Sequence, residues 1–188
     1  MRKPIVIAVV GLPGSGKSEA TSRFVGRDFY HVGFNDVYNE EFDKRAIRRG
    51  DEVGERKTRE ELRQEFGMDF AAKQAFPKVQ EALSRGRNVV VESLYSWEEY
   101  TFMKKKLGGQ FRVLAIWAPP DLRYARLAQR PERPLTSEMA QARDYAQIAG
   151  AHQAGPIAMA DWTIQNTGTK EEFFKEVDEL IGSISNTD

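Results

Sequence analysis

Five short apolar runs interrupt a chain that is otherwise patterned for helices. Pro4–Val10 (PIVIAVV) is wholly apolar and rich in β-branched residues, the pattern of a strand buried on both faces. Asn88–Glu92 (NVVVE) and Phe111–Ala118 (FRVLAIWA) read the same way. Phe29–Phe34 (FYHVGF) is a weaker strand, and Asp161–Asn166 (DWTIQN) alternates, as a strand towards a sheet edge does. The stretches between them carry helix punctuation. Thr58 with Glu61, Ser96 with Glu99 and Thr169 with Glu172 have the spacing of a capping box, in which a hydroxyl and a carboxylate satisfy orphan N–H groups reciprocally. Gly86 and Gly108 stand where C-terminal caps belong, and Pro120-Asp121 opens a further helix. Strand and helix alternate throughout, which predicts an α/β layer around a mostly parallel sheet. Neither an internal repeat nor a long linker divides the chain, so one domain over residues 1–188 is expected.

Composition narrows the function classes. Lys plus Arg and Asp plus Glu are both 28, so the net charge of zero lends no support to a nucleic-acid partner, which would call for a basic excess. The chain has no cysteine, which excludes disulfides, thiolate metal sites and a Cys nucleophile and fits a cytoplasmic location. The opening MRKPIVIAVVGL mimics a signal peptide, but its apolar run is short and leads into Gly-Ser-Gly-Lys instead of a cleavage site. A buried strand is the better reading, and no run is long enough to cross a membrane. Glu40–Glu65 is mostly charged with the signs mixed. It reads as solvated helices laced with ion pairs, as a mobile arginine-bearing cover over an anionic substrate, or as both.

The most specific chemistry lies after the first strand. GLPGSGKS fits G-x-x-x-x-G-K-[ST] on Gly11, Gly16, Lys17 and Ser18. Glycines let the backbone turn so that successive N–H groups face phosphate oxygens, and the helix that follows adds its positive end. Gly11, Pro13, Gly14, Ser15, Gly16, Lys17 and Ser18, with Glu19 of the helix, form the expected ATP site. Lys17 reaches the β- and γ-phosphates, and Ser18 offers its hydroxyl to Mg²⁺. Glu92, at the end of the third strand, is a candidate to hold a magnesium-bound water or orient a nucleophile, and is otherwise a solvated strand end. Asp36 in GFND is a base towards an acceptor hydroxyl, a metal-shell ligand, or a helix cap. Arg123, Arg126, Arg130, Arg133 and Arg143 surround a proline-bounded loop. Arg126 and Arg130 share a helix face, which suits a lid that brings guanidinium groups onto a transferring phosphoryl group and excludes water. Arg123 alternatively pairs with a carboxylate. Two shorter matches carry nothing: DEVG (Asp51–Gly54) does not follow a buried strand and no N-K-x-D accompanies it, and LGGQ (Leu107–Gln110) lacks the serine of an ABC signature.

Taken together, the phosphate loop, five-strand alternation and Arg-x3-Arg lid resemble the P-loop nucleoside-monophosphate-kinase group. RLAQR (Arg126–Arg130), SEMAQARDYAQ (Ser137–Gln147) and ADWTIQNTGTKEEF (Ala160–Phe173) most resemble dephospho-CoA kinase and the related archaeal-type nucleotide kinases. GLPGSGKSEA and the Gly67–Asp69 turn resemble the archaeal-type relatives. The resemblance implies a three-layer P-loop fold with a five-stranded parallel sheet in the order 2-3-1-4-5. It implies a short lid over residues 126–137 and an acceptor-side helical segment over 36–85. It places Arg126 and Arg130 at the phosphates, Asn166, Thr167 and Gly168 near the adenine, and Asp36 towards the acceptor. The chain departs from the pattern at FND, where bacterial dephospho-CoA kinases carry Asp-x-Asp. It departs again at AFPKV, which has only the proline of His-Pro, and at ESLY (Glu92–Tyr95), where archaeal-type relatives have Asp-Gly-x-Arg. The expected function is therefore an ATP- and Mg²⁺-dependent kinase acting on a nucleotide-like small molecule, with Arg59 or Arg63 meeting its anion. Dephospho-CoA and nucleoside monophosphates are the candidate acceptors. A regulatory ATPase with a protein partner is the alternative, and oligomeric state is not encoded in any motif.

Overall fold

The computed structural model describes residues 3–48 and 50–186. Its elements run β1 (Val6–Val10), α1 (Lys17–Val25), β2 (Tyr30–Gly33), α2 (Phe34–Lys44), α3 (Glu52–Phe66), α4 (Phe70–Ser84), β3 (Val89–Glu92), α5 (Trp97–Leu107), β4 (Phe111–Trp117), α6 (Pro120–Ala128), α7 (Ser137–Tyr145), α8 (Ala154–Ala158), β5 (Trp162–Gln165) and α9 (Lys170–Asn186). All the strands are parallel, in the order β2-β3-β1-β4-β5 expected from the resemblance.

The central strand shows why. β1 pairs with β3 from Val6↔Val89 and with β4 from Val6↔Phe111, so it is flanked on both edges and covered on both faces, and all five of its residues are buried. The period of two then sorts side chains into two cores. Val6, Ala8 and Val10 join Val89, Val91, Val113 and Ala115 in a core with α2, α4 and α5. Ile7 and Val9 join Val90, Leu114 and Ile116 beneath α1 and α9, through Phe24, Phe173, Val177 and Ile181. Leu127, Leu135 and Ala140 form a small satellite between α6 and α7.

Several helix ends match their expected chemistry. Ser96 and Glu99 make the reciprocal box at the start of α5. Thr169 and Glu172 exchange the same bonds at α9. Gly86, at φ +74°, closes α4 by donating to Leu83 O, while Arg87 donates to Ala82 O, the Schellman pairing. Thr58 is a correction. It lies buried in the middle of α3, whose cap is Asp51, the carboxylate accepting from Gly54 N at 3.1 Å. Thr58 lies one helical turn before Leu62, and both are buried, so tertiary packing carries the helix upstream past the local cap signal. DEVG is thus a helix start, and Gly108–Gln110 is a single 3₁₀ turn entering β4. Among the described residues no helix is long and apolar enough to cross a membrane.

Candidate functional site

Because the strands are parallel, the C-terminal ends of β1, β3 and β4 meet at one edge, where the neighbours of β1 lie on opposite sides. Gly11–Gly16 turns there into α1. Gly11 (φ +145°) passes so close to β4 that a Cβ would stand 2.3 Å from Ile116 O. At Gly16 (φ +104°) a Cβ would stand 2.4 Å from Asn166 Nδ2. Only glycine fits either position.

Side chains bond four of the loop's carbonyls. Gln153 Nε2 donates to Gly11 O (3.0 Å), Lys17 Nζ to Leu12 O (3.1 Å), Arg123 Nη1 to Pro13 O (3.1 Å) and Asn166 Nδ2 to Ser15 O (2.8 Å). The first N–H groups of α1, which have no intrahelical acceptor, are free for an anion. Burial, with Arg143 next, lowers the Lys17 pKa to about 7, and Glu92 opposes this. An anion at the loop favours the charged ammonium.

Ser18 Oγ donates to Glu92 Oε1 at 2.7 Å, which brings together the two residues expected to serve a metal. The other carboxylate oxygen, Oε2, lies 3.2 Å from His31 Nε2. Hydrogen bonding to His31 and then to Ser18 holds the Glu92 pKa below the usual carboxylate range, and the same contact raises that of His31. His31 was missed at the sequence level. β2 pairs with β3 as His31↔Val90, so His31 and Glu92 share the face that looks onto α1, a relation visible only once the pairing is known. Among the described residues no cluster of three or more His, Asp or Glu could hold a metal ion alone. Magnesium in such a site needs only one or two protein oxygens, because phosphates and waters supply the others, and the Ser18–Glu92 pair fits that requirement.

Asp36 is exposed at the third position of α2, which begins directly after β2, with Gly33 at the cap position. Its carboxylate folds back over Gly33, where a Cβ would stand 2.7 Å from Oδ2. It is therefore not the helix cap, and it adds to the field on His31. Beyond Glu92, Ser93 takes φ +67° and its hydroxyl accepts from Asn35 Nδ2 (3.0 Å) and from the Tyr95 hydroxyl (3.2 Å). Arg59 pairs with Glu55 (3.2 Å) and lies over the Phe42 ring (4.9 Å), and Arg63 Nε donates to the Tyr38 hydroxyl (3.2 Å). Both are engaged inside the helical segment, so the expectation that either meets an acceptor anion has no support in their contacts.

The five arginines divide. Arg123 is buried, with a bidentate pair to Asp144 at 3.0 and 2.7 Å and a bond from Nε to Ala118 O. It ties α6 and α7 to the phosphate loop and is not part of a moving lid. Arg126 Nη2 donates to Asn166 Oδ1 (3.2 Å). Arg130 and Arg143 are exposed near Lys17, and burial followed by Arg143 lowers the Arg130 pKa. The Arg133 guanidinium lies against Gly50, at the entry to α3. Of the remaining predicted residues, Pro13 and Ser15 are buried in the loop, Gly14 packs on Arg123, and the Glu19 carboxylate turns to Lys170 at 2.9 Å. Thr167 and Gly168 are exposed in the turn before α9. Gln153, fully buried after a π-helical turn at Ala146–Gly150, is a loop-holding residue with no sequence signal.

This sheet order, with a glycine loop after β1 and arginines after β4, defines a P-loop protein of kinase-like fold. The chain belongs to the UPF0200 family: it is 35% identical over 183 residues to the UPF0200 protein of Thermococcus onnurineus, covering 96% of this chain and 98% of that one. Residues 7–146 also match the family model described as an AAA domain. Among solved structures it is similar to TT1252 from Thermus thermophilus (TM-score 0.66, 20% identity, both chains in full). It is also similar to a shikimate kinase from Bacteroides thetaiotaomicron (0.61, 14%, covering 96% and 98% of the two chains). A dephospho-CoA kinase from Campylobacter jejuni follows (0.58, 19%, 97% and 98%). At these identities the likeness is one of fold, and it does not single out dephospho-CoA kinase.

Proposed function

We propose that this protein is an ATP-dependent kinase that transfers the γ-phosphoryl group to a nucleotide-like small molecule, with dephospho-CoA a candidate acceptor. One observation carries the reading. The Ser18–Glu92 hydrogen bond sets a strand-end carboxylate on the first turn of the helix that follows the phosphate loop, where the charges of Glu92, Arg130 and Arg143 act on Lys17. A solvated strand end would not place Glu92 on the first turn of α1. In this reading the loop N–H groups and Lys17 bind the β- and γ-phosphates, and Ser18 and Glu92 hold magnesium and its water. The ion, when bound, neutralises charge on the transferring group. Arg126 and Arg130 sit on a lid spanning 126–137 and face the developing charge. The segment 36–85 receives the acceptor, and Asp36 takes its proton. Tyr95 stands where the archaeal-type pattern has its arginine, and with Asn35 and Ser93 it offers neutral hydrogen-bonding groups, which favours a hydroxyl acceptor over a phosphate one.

The test is a panel of acceptors with γ-labelled ATP, including dephospho-CoA and the common nucleoside monophosphates. Transfer to one acceptor, abolished by Lys17→Ala, is the expected result. ATP binding or slow hydrolysis with no labelled acceptor overturns the kinase reading in favour of a regulatory ATPase. ATP binding that survives Lys17→Ala overturns the assignment of the loop.

A further inference from the structure

Asn166 stands just past the C-terminal end of β5 and is only 7% exposed. Both ends of its amide are used, over long stretches of chain. Nδ2 donates to Ser15 O at 2.8 Å, and Oδ1 accepts from Arg126 Nη2 at 3.2 Å. The orientation of the amide follows from chemistry: a carbonyl only accepts and a guanidinium only donates. Gly16 leaves just enough room, since any Cβ there would collide with Nδ2. Arg126, in turn, has its other terminal nitrogen, Nη1, buried with no hydrogen-bond partner among the described residues. A guanidinium anchored at one nitrogen and left unmatched at another is costly, and an anionic oxygen would remove that cost.

We infer that Asn166 is a positioning residue that couples the phosphate loop to Arg126, serving the triphosphate and not the adenine. The inference rests on the reading of the loop as a triphosphate site. One amide sets the Ser15 carbonyl, and through it the direction of the adjoining N–H groups, while the same amide aims the guanidinium. Seating the phosphates and placing Arg126 are then one event. With so little exposed surface, Asn166 leaves base contact to Thr167 and Gly168, which are exposed in the same turn.

The experiment compares the affinities of magnesium ATP and magnesium tripolyphosphate, which has no base, by calorimetry. Asn166→Ala is expected to weaken both by the same factor, about tenfold or more. Asn166→Asp, which keeps an acceptor for Arg126 but sets a carboxylate oxygen against Ser15 O, is expected to lose at least as much. Combined with Arg126→Ala, Asn166→Ala should add little to the larger single loss, because the two residues act as a unit. If Asn166→Ala does not fold, Asn166→Ser is judged by the same criterion of equal loss. A loss confined to ATP overturns the inference in favour of a base contact, and fully multiplicative losses overturn the coupling. Wild-type protein that binds neither ligand overturns the loop reading itself, a result distinct from either of these.

Discussion

Arg123 shows how little a residue type says until its partners are known. It stands in the same arginine-rich stretch as Arg126 and Arg130, yet it is buried against Asp144 and bonded to the carbonyls of Pro13 and Ala118. Truncating it leaves a buried carboxylate without its cation, with only the Tyr124 hydroxyl still donating to it, and a loop carbonyl unmet. Arg123→Ala should therefore cost about 3–5 kcal/mol of stability by denaturant unfolding. Arg130→Ala, at an exposed position, should change stability by less than about 0.5 kcal/mol while impairing any phosphoryl transfer. Equal stability losses would refute this division of the arginines. The sequence left Arg123 open between lid and ion pair because Asp144 lies 21 residues further on. No local spacing reports a pair of that kind.

At the scale of the element, α5 is the informative case. Its capping box was legible because Ser96 and Glu99 are three residues apart and act within one turn. What the spacing did not reveal is that Glu99 is wholly buried. Its Oε2 accepts from Tyr95 N (2.7 Å) and Ser96 N (3.0 Å), and burial raises its pKa to about 7 despite those bonds and the nearby Arg63. The sign of the pH effect follows. Between the unfolded carboxyl pKa of about 4.3 and the folded value of about 7, the native state holds a proton that the unfolded chain has released. Stability is full below that window and falls as pH rises through it, by about 3–4 kcal/mol. Glu99→Gln keeps an acceptor for both N–H groups and removes the titration. Its melting temperature should decline less than that of the wild type between pH 5 and 8. Parallel pH profiles for the two proteins would contradict the assignment. The same box spacing at Thr58 misled because it lies in a segment crowded with glutamates, where the match arises readily, and because packing of buried residues decides where α3 begins.

For the whole molecule, the loop carbonyls are held by residues from α1, α6, the turn after β5 and the turn before α8, so the candidate phosphate site is a property of the assembled sheet and its layers. A ligand that binds only this assembled state stabilises the entire fold. Magnesium ATP at about 100 times its dissociation constant should add about 2.7 kcal/mol to the unfolding free energy, read as a rise in melting temperature. Lys17→Ala should abolish the rise, measured against the melting temperature of the same variant without ligand. A rise retained in that variant would place the nucleotide elsewhere.

What the sequence determined by itself was whatever local periodicity and short spacing can encode. It determined the five strands, the buried character of β1, the alternation that demands a parallel α/β sheet, and the glycine loop with Lys17 and Ser18. Each of these depends on neighbours within a turn or a strand. Tertiary structure alone decided the rest: that His31 and Glu92 share a face, that Arg123 braces while Arg126 reaches Asn166, and that Gln153 holds Gly11 from 142 residues away. Amide and guanidinium donors in loops have no periodic signature. Their acceptors are backbone carbonyls that any residue supplies, so only the packed chain determines which donor meets which carbonyl.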